Sequence, residues 1–269
     1  MTEPQTLAPS PNGDTGSLLD RVPGQAVMAE CLRGQADVWP RSWLGRLLGV
    51  SPLAEENRPW FWGALGEREV GRRLTRLGPG WTVLHAVPVG AGDSDIDHVV
   101  IRLKGVFTLN TKDHSTQRVW VGGRTFMVNG QRKPHVRNAE HEAARAAKLL
   151  SAAVGWPVAV RGAIVVVDPA SLTIREQPAT VVVVTSRNLV PWLTKRRDVL
   201  SPADVADITA VAAQPATWHR APRPAEDGQA LTTRFAAFHR EVLGARRVRV
   251  AWRVGTTVAV LAGLVTGAP

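Results

Sequence analysis

The 269 residues predict an α/β protein built on one mixed central sheet flanked by helices. Three observations predict it. Apolar residues recur with helical spacing over residues 63–77 and over the Ala-rich stretch 135–153. Short β-rich runs over 81–89, 96–103 and 106–112 are separated by turn signals, as antiparallel neighbours require. Val-rich runs over 163–167 and 180–185 show no polar alternation, the pattern of strands buried on both faces.

Residues 1–25 are rich in Pro, Gly, Ser and Thr without apolar periodicity, and read as a disordered arm. Within 26–56, Trp43, Leu44, Leu47 and Leu48 have helical spacing. They predict a short amphipathic helix packed on the domain, contact with a membrane being the other reading. In the helix over 63–77, Val70, Leu74 and Leu77 mark the apolar face, and Glu67 falls on it. An inward carboxylate is costly unless paired or metal-bound. A first-turn acid favoured by the helix dipole is the plain alternative. Gly78-Pro79-Gly80 stops this helix, and the runs over 96–103 and 106–112 are joined by a turn at Leu103-Lys104 or Lys104-Gly105. A second hairpin is expected around Gly122-Gly123-Arg124. The helix over 135–153 ends near Gly155, and short helices follow over 191–197 and 202–212. The domain boundaries read from these shifts are an arm with a short helix at 1–57, a folded domain at 58–219, a polar and basic linker with a helix at 220–249, and a hydrophobic tail at 250–269.

Lys and Arg number 33 against 23 Asp and Glu, a net charge of +10. That balance favours a polyanionic partner, either nucleic acid or an anionic membrane surface. The single cysteine, Cys31, excludes an intramolecular disulfide and a cysteine-built zinc site. No basic segment followed by an apolar run opens the chain, so a cytoplasmic location is expected. The sixteen uncharged residues 254–269 would span roughly 24 Å as a helix, and a start at Val250 extends this to about 30 Å. Arg246, Arg247, Arg249 and Arg253 precede or enter that run. They predict membrane association through 250–269 with the main domain on the cytoplasmic side.

Asp95-Ile96-Asp97-His98-Val99-Val100 and Phe107-Thr108-Leu109-Asn110-Thr111-Lys112 form the informative pair of strands. Either two-residue turn places Asp97, Asn110 and Lys112 on one face, because side chains alternate with period two. A carboxylate, an amide and an amine then converge at a sheet edge, beside a small loop at 91–94. Such parts suit phosphodiester cleavage. A hard divalent cation takes oxygen ligands, and a lysine positions water and stabilises negative charge. His98 points to the opposite face and reads as a packing or hydrogen-bonding residue, and His114 as an exposed turn residue. Arg102, Lys104, Arg118, Arg124, Arg132, Lys133 and Arg137 are candidates to track a phosphate backbone, with Trp120 and Phe126 able to stack on bases or to fill the core.

The ordered segments Gly63-Ala64-Leu65-Gly66-Glu67, Trp81-Thr82-Val83-Leu84-His85, Asp95 to Val100, Gly105 to Lys112, and Asn129-Gly130 resemble the nuclease-related (NERD) domain. The resemblance covers about residues 60–151 and extends more weakly to about 218. That family looks like a member of the PD-(D/E)xK nuclease superfamily, which implies a restriction-endonuclease-like core and Mg²⁺- or Mn²⁺-dependent phosphodiester hydrolysis on DNA. The resemblance implies Glu67 as the helix acid, Asp97 as the metal-binding strand acid and Lys112 as the lysine of the (D/E)xK element. Asn110 stands where that element carries Asp or Glu. An amide oxygen can ligate the cation without bringing charge, so affinity falls unless Asp95, Asp113 or Glu67 compensates. The departure leaves a second reading open, a catalytically inactive nucleic-acid-binding or scaffold module tethered to the membrane by its tail.

Overall fold

The computed structural model describes residues 16–90, 94–221 and 226–266, the side chains of 258–266 excepted. In chain order the elements are α1 (Gln25–Ala36), α2 (Trp43–Leu47), α3 (Arg58–Leu74), β1 (Thr82–Pro88), β2 (Asp95–Arg102), β3 (Gly105–Asp113), β4 (Arg118–Gly122), β5 (Thr125–Val128), β6 (Gln131–Lys133), α4 (His135–Val154), β7 (Val160–Val167), β8 (Ser171–Glu176), β9 (Val181–Thr185), α5 (Leu189–Thr194), α6 (Pro202–Ala212), α7 (Pro215–Trp218) and α8 (Gly228–Thr266). The chain divides into two compact units, one of residues 1–24 and 65–228, the other of 25–64 and 229–269.

The first unit carries a mixed five-stranded sheet in the order β1-β2-β3-β7-β9. β1, β2 and β3 form an antiparallel meander, while β7 runs parallel to both β3 and β9. The Val-rich β7 lies between two strands and is buried from Gly162 to Val167, as its unbroken apolar run predicts. Val70 and Leu74 of α3 and Leu189 and Leu193 of α5 pack with Val100, Phe107, Leu109 and Val165. Ala146 and Leu150 of α4 and Ile208 of α6 pack instead with Val99, Ile101 and Val106. The two helical layers therefore meet residues of opposite parity along β2 and β3, which is the alternation the sheet requires.

The expected single sheet is joined by a second, of four strands in the order β6-β5-β4-β8. The hairpin of β4 and β5 is the one the sequence predicts; its parallel partner β8 is an addition to the predicted strands. Leu172 and Ile174 alternate with exposed residues there, a short period-two signal that pairs with β4. Asn129 and Gly130 turn β5 into β6, both with positive φ (47° and 83°). That is the conformation for which Asn-Gly is suited in a two-residue hairpin. Of the stretch read as an arm, Leu18 is buried and its N–H reaches the Ala213 carbonyl at 2.9 Å. Residues 1–15, the loop residues 91–93 and the linker residues 222–225 lie outside the described residues.

In the second unit, Phe61 packs against Phe235 and Phe238, with ring centroids 5.6 and 5.9 Å apart. Gly49 lets the segment after α2 approach the α8 backbone, since a Cβ there would lie 2.6 Å from the Ala245 carbonyl. The Trp252 indole N–H donates to the Leu47 carbonyl at 2.8 Å. α2 buries none of its own residues. Five residues give too little length for one face to close over. Among the described residues no helix is long and apolar enough to cross a membrane. Of the hydrophobic tail, 267–269 lie outside the described residues.

Candidate active site

β2 and β3 turn at Leu103-Lys104, with Arg102 opposite Gly105 and His98 opposite Leu109. Carried one residue further, this register sets Asp97 opposite Asn110, one of the two arrangements the sequence allowed. The regular ladder stops there, and the Asp97 carboxylate accepts the Thr111 backbone N–H at 2.5 Å. A side chain has taken the place of a backbone acceptor, so the carboxylate is fixed where the strand pairing ends. Asp95 and Asp97 share one face of β2, and Asn110 and Lys112 the corresponding face of β3.

Two helices bring further carboxylates, each through a small residue at the contact. On α3, Gly66 faces β3 so closely that a Cβ would sit 3.3 Å from Asp113 Cβ and 3.4 Å from Thr111 Cγ2. The next residue, Glu67, is 5% exposed and interacts electrostatically with Asp97, Asp95 and Lys112. On the α4 side, Gly162 of β7 has no room for a Cβ, which would lie 2.9 Å from the Ala139 carbonyl and 3.4 Å from Ala143 Cβ. The small face of Ala139, Ala143 and Ala146 thus seats α4 directly on the sheet. Glu142, within that contact, accepts the Asn110 side-chain amide on Oε1.

Charge is concentrated rather than cancelled here. Burial, then the Asp97 and Asp95 charges, push the Glu67 carboxyl well above the usual range, and Lys112 pulls it back. Burial and Asp97 raise Asp95 to about 7, with Arg21 opposing. Burial raises Glu142 to about 7, partly offset by the Asn110 amide and Lys112. Asp97 is also raised by burial, against the lowering effect of Lys112 and the Thr111 N–H. Glu67 Oε2, Asp95 Oδ2, Asn110 Oδ1 and Glu142 Oε2 are buried without a hydrogen-bond partner. Unpartnered buried oxygens are costly, and four on Asp97 neighbours need an explanation. Hard oxygen donors of this kind fit Mg²⁺ or Mn²⁺ chemically. Among the described residues no three Asp, Glu, His or Cys side chains are grouped as a metal site by themselves.

The predicted site residues Glu67, Asp97, Asn110 and Lys112 are all brought together. Asp95 joins them, but Asp113 is engaged elsewhere. It accepts the Ser115 N–H at 2.9 Å and the Ser115 hydroxyl at 2.6 Å. His98 lies on the other face, as expected, with Nδ1 2.8 Å from His85 Nδ1. His114 is half-buried rather than exposed: its Nε2 lies 3.3 Å from His135 Nε2 and its Nδ1 3.0 Å from Gln117 Oε1. Arg102 and Lys104 sit at the β2–β3 turn, the far end of the strands from Lys112, and so do not border the site. Arg124 is paired with Glu140 at 2.6 Å, and Phe126 belongs to the core. Glu142 escaped sequence reasoning. Its signal was position: it follows Ala139 by three residues and precedes Ala146 by four, placing an acid beside the apolar stripe of a helix.

Residues 62–167 match the family model described as nuclease-related domain, a range that holds Glu67, Asp95, Asp97, Asn110, Lys112 and Glu142. No curated protein and no solved structure matches the chain.

Proposed function

We propose that this chain, which carries a nuclease-related domain over residues 62–167, binds nucleic acid, DNA in the first instance, and hydrolyses its phosphodiester bonds with Mg²⁺ or Mn²⁺. The observation that carries the reading is the set of four buried, unpartnered oxygens on Glu67, Asp95, Asn110 and Glu142 beside Asp97 and Lys112. Asp97 is the principal cation ligand, Asn110 a neutral one and Glu67 an accessory acid. Glu142 answers the missing charge of the (D/E)xK element: Asn110 supplies the strand position, and its amide holds an acid delivered from α4. A cation held there would supply a Lewis acid for the phosphate and a bound water of lowered pKa. Lys112 orients that water and stabilises the charge that builds on the phosphate. The net charge of +10 suits a polyanionic substrate.

A second reading has one observation in its favour, the neutral Asn110 at the acidic position. On it the domain binds nucleic acid without cutting. Cleavage of labelled single- and double-stranded DNA with Mg²⁺, Mn²⁺ or EDTA, beside Lys112→Ala, separates the two. Cation-dependent cutting lost in the variant supports the nuclease. Salt-sensitive binding by a folded protein that never cuts refutes it.

We also propose association with an anionic membrane surface from the cytoplasmic side. In the second unit Trp43 is 72% exposed, and Leu47, Leu48 and Trp252 are about half exposed. Arg246, Arg247, Arg249 and Arg253 lie on α8 in the same unit. Exposed Trp and Leu beside Arg suit the interfacial region of a bilayer, where amphipathic rings and cations both find partners.

A further inference from the structure

At the other end of β3 the molecule has a cleft that the proposed reaction does not use. It lies between the first residues of β3 and β7 and the segment after α5, with a volume of about 710 Å³. Pockets of this size hold small organic ligands or parts of larger ones. Its walls include Phe107, Arg161, Trp192, Lys195, Arg196 and Arg197. We propose that this cleft binds a segment of single-stranded nucleic acid, a base adding to the Trp192–Arg196 stack and the phosphates meeting Arg161, Lys195 and Arg197.

The charge in the cleft lacks compensation. The Arg196 guanidinium lies 5.3 Å from the Trp192 ring centroid and 5.7 Å from that of Phe107. Burial, with the Arg161 charge nearby, pushes Arg196 below the usual arginine range. Among the described residues no ion pair involves Arg161, Lys195, Arg196 or Arg197. The acid on the neighbouring segment, Asp198, is taken by Lys104 at 2.9 Å. Lys104 also donates to the Arg196 carbonyl at 2.8 Å, which anchors the backbone that carries this arginine. Two guanidiniums held near each other without a carboxylate attract an anion.

The rings decide which anion. Phe107 is buried, but Trp192 is partly exposed and meets Phe107 edge-on at 5.4 Å. A partly exposed indole with a guanidinium 5.3 Å from its centroid is a surface for a flat aromatic group. An unpaired base offers both a free face and an attached phosphate. A duplex hides its base faces, and an acidic peptide has none. The cleft is separate from the proposed catalytic site, since Gly105 and Lys112 are seven residues apart on β3, about 23 Å. The inference goes beyond the nuclease reading, and binding in this cleft requires no cation.

The test uses the full chain in EDTA, so that cutting plays no part. Anisotropy of a fluorescein-labelled ten-residue oligothymidylate is measured over a salt series. An iodouracil-substituted copy is photo-crosslinked and the attached peptide mapped. Arg161→Gln with Arg196→Gln is expected to weaken binding about tenfold or more and to reduce the salt slope by about one or two. Trp192→Leu is expected to weaken it about tenfold, with Trp192→Phe retaining most of the affinity. The crosslink is expected on the peptide holding Trp192. Wild-type binding by the double arginine variant at an unchanged melting temperature overturns the proposal. So does a crosslink confined to the surroundings of Lys112, or loss of binding in Lys112→Ala but not in the cleft variants. Equal losses for heparin and oligothymidylate with no effect of Trp192→Leu also overturn it, leaving a patch for any polyanion. Failure of the nuclease reading registers separately, as absence of Mg²⁺- or Mn²⁺-dependent cutting by the same protein.

Discussion

The Asn110 side-chain amide donates to the Glu142 carboxylate, tying the neutral residue of β3 to an acid on α4. Burial of that carboxylate, which the Asn110 amide only partly offsets, has a consequence for stability that can be measured without substrate. Burial raises Glu142 from 4.5 to about 7. A carboxyl whose folded pKa is raised contributes stability that is fully present below its unfolded pKa and is lost as pH rises through the folded value. Glu142→Gln should therefore melt near wild type at pH 4.5, and above it at pH 8 by an amount equivalent to about 3 kcal/mol. Saturating Mn²⁺ should reverse that order at pH 8, because the cation favours the charged form. Thermal melts of both proteins over this pH range check it.

Asp97 is pinned by the Thr111 N–H, a bond that an asparagine oxygen can also accept. Asp97→Asn should therefore fold normally. It should lose most of the cation-induced rise in melting temperature, which in wild type amounts to roughly 2.7 kcal/mol at a hundredfold excess over Kd. An unchanged rise in the variant would remove Asp97 from the cation site.

The His85–His98 pair should set the acid limit of the fold. Burial lowers His85 from 6.5 to about 4 and, with the His85 charge, holds His98 well below the usual range. Stability from these groups is present above pH 6.5 and is lost as pH falls toward about 4, as the unfolded chain takes up protons first. His85→Gln keeps an oxygen for the His98 N–H and removes one titrating group. Its acid limb should be shallower by up to about 1.4 kcal/mol per pH unit. Urea titrations at half-unit pH steps report the slope.

Vesicle flotation addresses the second unit. The protein should float with vesicles containing anionic phospholipid and remain in the dense fraction with purely zwitterionic ones. Trp43→Ser with Leu47→Ser should reduce the bound fraction several-fold, since Trp43 is largely and Leu47 about half exposed and little is lost from packing. Equal flotation of wild type and variant would remove α2 from the contact surface.

Features that are local in sequence are the ones its residue pattern reveals. Val-rich runs and period-two strands located the central sheet, because burial on one or both faces writes directly into the residue pattern. Asp97, Asn110 and Lys112 were legible together because one hairpin fixes their parity whichever turn it uses. Glu67 was legible from its place on an apolar helix face. Glu142 was not, because its meeting with Asn110 depends on α4 settling closely on β7 at Gly162, a contact between segments distant in sequence. β8 was missed for a similar reason: two alternating apolar residues identify a strand only once β4 is there to pair with it. The basic cleft joins the starts of two strands to the segment after α5, and no single stretch announces it.

The most direct test of the central claim moves the acid between the two residues of the opening pair. Mn²⁺-dependent cleavage of labelled DNA is compared for wild type, Glu142→Gln, and Glu142→Gln combined with Asn110→Asp, each with its melting temperature. If Glu142 supplies the charge that Asn110 lacks, Glu142→Gln should fall at least tenfold, and the added Asn110→Asp should recover a substantial part by returning a carboxylate to the strand. Cleavage by Glu142→Gln at the wild-type rate would contradict the account.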